Sequence, residues 1–136
     1  MDKLSPRQRT ENMRRIHSKN TIPELEVRKI IRGMGFHYRL HGKLLGKPDL
    51  VFRNKRKLIF VNGCFWHQHP NKRCKDARIP KSNREYWGPK LKKNKRRDTK
   101  IMRKLIEDGW DIMVIWDCQI EKRGRLTNRI KKFLLN

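Results

Sequence analysis

Residues 60–74 read F-V-N-G-C-F-W-H-Q-H-P-N-K-R-C, a stretch that mixes thiols, imidazoles and adjacent aromatics. Cys64, His67, His69 and Cys74 are all ligands suited to a borderline-soft cation. The remaining cysteine, Cys118, stands in W-D-C further along the chain. Cys64, His69 and Cys74 are spaced C-x4-H-x4-C, and Cys118 completes the set that a tetrahedral Cys3His zinc site needs. Such a site would staple a long loop to the end of a later strand. The alternative is three free thiols packed as small hydrophobes. Spacing alone does not choose between His67 and His69 as the imidazole ligand. A histidine of ordinary pKa, about 6.5, also takes a proton from water near neutral pH, so His67 is a candidate general base. Zinc ligation or a plain loop imidazole are its other readings.

Pro48-Asp49 precedes an apolar run, and a carboxylate there can hold Mg²⁺, a cation that needs few protein ligands. A turn-forming Pro-Asp is the alternative. Phe65, Trp66 and Trp87 lie among lysines and arginines, a setting suited to stacking on unstacked bases or to a core aromatic cluster. Glu24 and Asp98 are further candidates. Their alternatives are a helix capping box and an internal salt bridge to a neighbouring arginine.

These residues need elements to hold them. Ser5-Pro6-Arg7-Gln8 caps a short basic helix to about His17, with Met13 and Ile16 as its main apolar residues, which either docks on DNA or is a frayed, solvated basic arm. Thr21-Ile22-Pro23-Glu24 caps a second helix, whose buried face is expected to be Ile22, Leu25, Val27, Ile30, Ile31 and Met34. Gly33 and Gly35 end it. Phe36, Tyr38 and Leu40 alternate as a strand. Residues 50–52 and 58–61 form two more strands joined by a short polar turn, hence an antiparallel hairpin. Gly63 is expected to let the chain turn sharply after the third strand. Trp87-Gly88-Pro89 opens a long basic helix to about Glu107, with Leu91, Asn94, Asp98, Ile101 and Leu105 on its inward stripe. Residues 112–116 read as a buried strand. Leu126, Ile130, Phe133 and Leu134 mark a closing helix. The order α-α-β-β-β-loop-α-β-α predicts an α/β layered domain with a mixed sheet.

At 136 residues the chain reads as a single domain, 1–136, with residues 1–20 a basic N-terminal segment that contacts nucleic acid. Lys plus Arg number 37 against 13 Asp plus Glu, a net charge of +24. That balance points to a polyphosphate partner. No signal peptide, transmembrane run or lipidation motif is evident, so no membrane partner and an intracellular location are expected. Thiols then stay reduced, and an odd count of cysteines also argues against a disulfide framework.

G-K-P-D-L-V-F, F-V-N-G-C-F-W-H-Q-H, E-Y-W and W-D-C together resemble the very-short-patch-repair (Vsr) mismatch endonucleases, as does T-E-N-M-R-R-I near the start. The similarity runs from about Thr10 to Cys118. It implies a restriction-endonuclease-like fold, and an enzyme that nicks double-stranded DNA beside the T of a T·G mismatch, with catalytic Mg²⁺ and a structural Zn²⁺. By position, Asp49 resembles the Mg²⁺-binding aspartate, with the main-chain carbonyl of Val61 as second ligand. His67 looks like the general base. Cys64, His69, Cys74 and Cys118 match the zinc ligands. Phe65, Trp66 and Trp87 match aromatics that enter the duplex, and Met13 a wedge from the minor groove. Glu24 and Asp98 match supporting acids. Asn62 replaces a histidine usual in the family, and the His69-to-Cys74 spacing is longer than the family pattern. A monomer in a prokaryotic cytoplasm, acting at the nucleoid and alongside other repair proteins, is the implied setting. The alternatives are a restriction-like nuclease on intact duplex and a non-catalytic zinc module that binds nucleic acid.

Overall fold

The computed structural model describes residues 21–40, 43–71, 73–79 and 84–136. The expected N-terminal basic helix, with Met13 on it, lies outside them. Helix α1 (Ile22–Gly33) starts where Thr21 Oγ1 accepts the Glu24 N–H at 3.4 Å. Its inner stripe is Glu24, Val27, Arg28 and Ile31, one face at i, i+3, i+4 and i+7. Ile22 and Leu25 therefore fall outside the buried face and are exposed, contrary to expectation. Ile30 and Met34 pack at the edge of the core. Gly35 takes the left-handed φ of +80° that ends the helix turn.

Strand β1 is only Arg39–Leu40, shorter than the alternation from Phe36 predicts; Phe36 and Tyr38 instead pack on the core from loop conformations. β2 (Leu50–Phe52) and β3 (Lys57–Asn62) form the expected antiparallel hairpin, with Leu50 opposite Ile59. Arg56 turns it in the left-handed region. β4 (Asp111–Trp116) runs parallel to β3, from Lys57 opposite Asp111 to Asn62 opposite Trp116. The sheet is mixed, in the order β1-β2-β3-β4. A parallel pair needs a long crossover, and α2 (Arg84–Glu107) supplies it. The helix begins before the expected Trp87-Gly88-Pro89, which puts Pro89 inside it. In the second turn, proline costs one i→i−4 hydrogen bond, which the long remainder of the helix outweighs. α3 (Arg123–Leu135) closes the fold.

Alternation along the strands divides the core in two. One face of the sheet sets Leu50, Phe52, Ile59, Met113 and Ile115 against Val27 and Ile31 of α1 and Leu126, Ile130 and Leu134 of α3. The other sets Val51, Leu58 and Phe60 against Leu105 and Trp110, with Ile101 and Met102 beside them. The result is a three-layer α/β/α arrangement with β3 central and covered on both faces. Helix α2 buries the expected stripe, with Leu91 and Leu105 fully inside and Asn94, Asp98 and Ile101 partly so. Gly46, at φ +77°, lets the 43–47 loop close on this helix, since a Cβ there would lie 2.5 Å from the Ile101 side chain.

Candidate functional site

Two adjacent strands end side by side at Asn62 and Trp116. The segments that leave them carry nearly every candidate residue. After β3 the chain makes one tight turn, with the His67 N–H bonded to the Gly63 carbonyl at 3.1 Å and the His69 N–H to the Cys64 carbonyl at 2.9 Å. The left-handed residue of this turn is Gln68, at φ +49°. Gly63 is not among the positive-φ residues, and a Cβ on it would make only ordinary contacts at 3.7–3.8 Å. The expected role of Gly63 is thus taken by Gln68. The Gln68 amide also donates to the Phe65 carbonyl at 2.7 Å and to the Ala77 carbonyl at 3.0 Å, tying the turn to the following segment.

A single turn sorts its side chains three ways. Cys64 and His69 meet Cys74 and Cys118, and one ligand atom from each of the four lies within 4.8 Å of the others. The His69 Nδ1 is 3.6 Å from the Cys64 sulfur and 3.5 Å from the Cys118 sulfur. Of the two histidines left open by spacing, His69 is therefore the one at the cluster. Its ring stacks on Trp116 at 4.4 Å between centroids, a contact the sequence did not signal. Burial lowers the His69 pKa, which keeps the imidazole neutral as a ligand must be. Burial also raises the Cys64 and Cys118 thiols. A cation at the centre would reverse that by favouring the thiolates. Asp117 adds a buried carboxylate oxygen, Oδ1, with no hydrogen-bond partner among the described residues, and it lies beside Cys64. Three sulfurs, an imidazole and an orphaned acceptor fit a bound Zn²⁺ in both charge and softness.

His67 points the other way. Its Nδ1 lies 2.5 Å from Asp98 Oδ2 on α2. Asp98 thus pairs with His67 across 31 residues of chain, not with a neighbouring arginine. A carboxylate acceptor makes Nδ1 the protonated nitrogen and directs the lone pair to Nε2. Asn94, one turn earlier on the same stripe, donates to the Trp66 carbonyl at 3.4 Å and holds the turn against α2.

Asp49 lies at the mouth of the hairpin. Its Oδ2 accepts the Val61 N–H at 2.6 Å. Continued two residues beyond Leu50 and Ile59, the β2–β3 register sets Val61 opposite Pro48. Proline has no N–H to donate, so the ladder ends there. A strand residue presents N–H and C=O to the same side, and the Val61 carbonyl accordingly faces the same edge as Asp49. A carboxylate and a main-chain carbonyl on one edge are hard oxygen donors of the kind Mg²⁺ takes. Asn62, the next residue, is buried.

Burial pushes the Asp49 carboxyl up to about 7, with the Glu24 carboxylate adding to the rise and the Val61 N–H and Arg28 opposing it. Glu24 does more than cap its helix. Its carboxylate is buried, accepts from Arg28 Nη2 at 3.2 Å and neighbours Asp49. Arg28 was missed in the sequence, where its i, i+4 spacing from Glu24 was the available signal.

Phe65, Trp66 and Trp87 come together, with Phe65 5.2 Å and Trp66 5.6 Å from Trp87 between centroids, both edge to face. Tyr86 joins at 4.8 Å. Trp87 is buried, while Phe65 and Trp66 are half-buried and Tyr86 is exposed. No helix among the described residues is long and apolar enough to cross a membrane.

The family model of the DNA mismatch endonuclease Vsr matches residues 1–73. A type II nicking enzyme, V.XorIIP of Xanthomonas oryzae pv. oryzae, is 41% identical over 134 residues, covering 98% of this chain and 96% of the relative. A second nicking enzyme, V.NmeAIP of Neisseria meningitidis, is 37% identical over 123 residues, covering 90% of this chain and 86% of the relative. The DNA mismatch endonuclease Vsr of Escherichia coli K12 is 35% identical over 121 residues, covering 88% of this chain and 76% of the relative.

Proposed function

This chain belongs to the family of the DNA mismatch endonuclease Vsr, and on that premise we propose that it nicks the T-bearing strand of duplex DNA at a T·G mismatch, using Mg²⁺ for chemistry and Zn²⁺ for structure. The observation that carries the reading is the pairing of two unlike units around the end of β3. Asp49, whose carboxylate accepts the Val61 N–H, stands on one side. The His67–Asp98 couple stands on the other.

In this reading the His67 Nε2 takes a proton from the attacking water while Asp98 holds the ring and steadies the imidazolium. Water oxygen bonds to phosphorus as the bond to the 3′ oxygen breaks. The leaving oxygen is protonated from solvent, giving a 5′-phosphate and a 3′-hydroxyl. Asp49 and the Val61 carbonyl would hold a Mg²⁺, which when bound would supply stabilisation of the negative charge that develops in the reaction. Glu24, fixed by Arg28, and the buried Asn62 shape the metal's surroundings. Cys64, His69, Cys74 and Cys118 hold Zn²⁺ and stiffen the turn that carries His67, Phe65 and Trp66.

Phe65 and Trp66 act as the wedge that enters the base stack, with Met13 pressing from the minor groove; Trp87, expected to enter as well, is buried and backs the two rings instead. Unstacking costs a few kcal/mol per step and is least at a mismatch. A rigid wedge therefore converts weak pairing into selectivity. The protein works as a monomeric single domain in the prokaryotic cytoplasm, at the nucleoid, with other repair proteins as partners in patch repair.

Asp49→Ala and His67→Ala test the assignment of roles. His67→Ala should lower single-turnover nicking of a T·G duplex by about 10²–10⁴-fold, and Asp49→Ala by at least as much. Mismatch binding should persist, because affinity comes mainly from phosphate contacts. Nicking near the wild-type rate in either variant removes that residue from the chemistry.

A further inference from the structure

Helix α2 has a second long face besides the one that meets His67. Together with the segment after Gln68 it encloses an open groove of about 1430 Å³. Among the described residues five cations line the groove, Arg78 and Arg84 near one end and Lys92, Lys93 and Arg96 along the helix, and no acidic residue does. Its floor is apolar, with Ile79 and Pro89. None of these residues belongs to the metal cluster, the Asp49 site or the aromatic wedge.

We propose that this groove is a second DNA subsite, which seats the sugar–phosphate backbone of the duplex flank beyond the nick. The inference rests on the nuclease reading only in taking DNA as the ligand. Cations of one sign, spread along a helix face rather than gathered in one pocket, match a ligand whose negative charge repeats. The apolar floor suits deoxyribose between phosphates. An acidic polypeptide has the charge but no reason to lie beside a nuclease centre. The groove does lie there: Gln68, the residue that follows His67 in the turn, is part of its lining.

The groove is also mechanically joined to the wedge. Gln68 lines it, and the same side chain bonds the Phe65 and Ala77 carbonyls. A backbone bound in the groove and a wedge placed in the stack thus share one rigid wall. Flank binding would set the depth and direction of Phe65 and Trp66.

The test compares full-length wild type with a Lys92→Gln, Lys93→Gln, Arg96→Gln variant and with an Arg78→Gln, Arg84→Gln variant. All five residues are exposed, so zinc content and melting temperature should hold. Fluorescence anisotropy on a T·G duplex without Mg²⁺, across a salt series, should show the log–log slope of affinity reduced by about two to three units in the triple variant and one to two in the double. Single-turnover nicking at subsaturating enzyme should fall in step with the lost affinity, because the groove positions the duplex. Shortening one flank of the duplex should flatten the wild-type slope, and flatten the slopes of the two variants by less. Unchanged slopes in folded variants overturn the subsite. So does poly-glutamate binding that the variants lose while their DNA slopes match wild type, a result that assigns the groove to an acidic protein. Wild type that binds with the expected slope but nicks nothing would leave the subsite standing and defeat the nuclease reading instead.

Discussion

The turn at the end of β3 faces two sites made of opposite materials. On one side Cys64, His69, Cys74 and Cys118 bring soft donors from distant parts of the chain within 4.8 Å of one another. On the other, oxygen donors and cations arrange themselves in two separate couples, Glu24–Arg28 beside Asp49 and Asp98 with His67. The first is closed, with every candidate ligand spent on one centre. The second is divided, with Asp49 and His67 reaching the end of β3 from different elements. A closed donor set makes a staple, because nothing is left to touch a substrate. A divided one keeps its carboxylates and imidazole on separate elements, as the proposed hydrolysis of a phosphodiester requires. Only the four residues 65–68 separate Cys64 from His69, so a metal held there would directly fix the turn that carries His67.

Breaking the staple should have the largest effect. Cys118→Ala is expected to lose the bound metal and with it cooperative unfolding and all nicking, since structural zinc contributes about 10–16 kcal/mol in small domains. Metal analysis beside thermal melting measures this; a folded, active, metal-free variant would dissolve the distinction between the two sites. Next comes the Glu24–Arg28 couple. Arg28→Met leaves a buried carboxylate without its cation and should cost about 3–5 kcal/mol. It should also raise the Mg²⁺ concentration needed for half-maximal nicking, whereas Arg28→Lys should restore part of both. An unaltered Mg²⁺ requirement would make the couple purely architectural.

Asp49 offers a smaller and more specific readout. Its folded pKa of about 7 lies above the ordinary 3.8, so the folded state holds the proton more tightly than the unfolded chain. The stability this contributes is full below about pH 4 and is lost as pH rises through 7. Without added Mg²⁺, the urea midpoint should fall across that window, and Asp49→Asn should flatten the fall. The aromatic cluster should give the least. Trp66→Ala is expected to lower the ratio of T·G to T·A nicking about tenfold, with metal content unchanged. A preserved ratio in both Trp66→Ala and Phe65→Ala would make the aromatics core residues.

Much of this was legible from spacing. The staple could be read because cysteine is scarce and each one stood at a ligand position, and the α2 stripe because a 3-4-3-4 spacing leaves one choice of face. The partner of Asp98 could not be read, since a pair 31 residues apart depends on how the turn docks on α2. Glu24 and Arg28 were hidden for a different reason. Polar residues on a helix normally mark the solvent face, and here they hold the buried one while Ile22 lies outside. The role of Gln68 was hidden because a left-handed φ is usually assigned to the nearest glycine. Pro48 was read as part of a turn; its effect on Val61 required the register of the hairpin.

The central claim is that a mismatch-guided, Mg²⁺-dependent nick is made at the divided site. The most direct measurement is strand-resolved cleavage of end-labelled duplexes that differ at one base pair, T·G, T·A, C·G or A·G, each with Mg²⁺ and with the chelator instead. The expected result is a single nick on the T strand of the T·G duplex, with 5′-phosphate and 3′-hydroxyl ends, present only with Mg²⁺ and absent in His67→Ala. Equal cleavage of the matched duplexes, or cleavage that survives removal of Mg²⁺, would contradict the account.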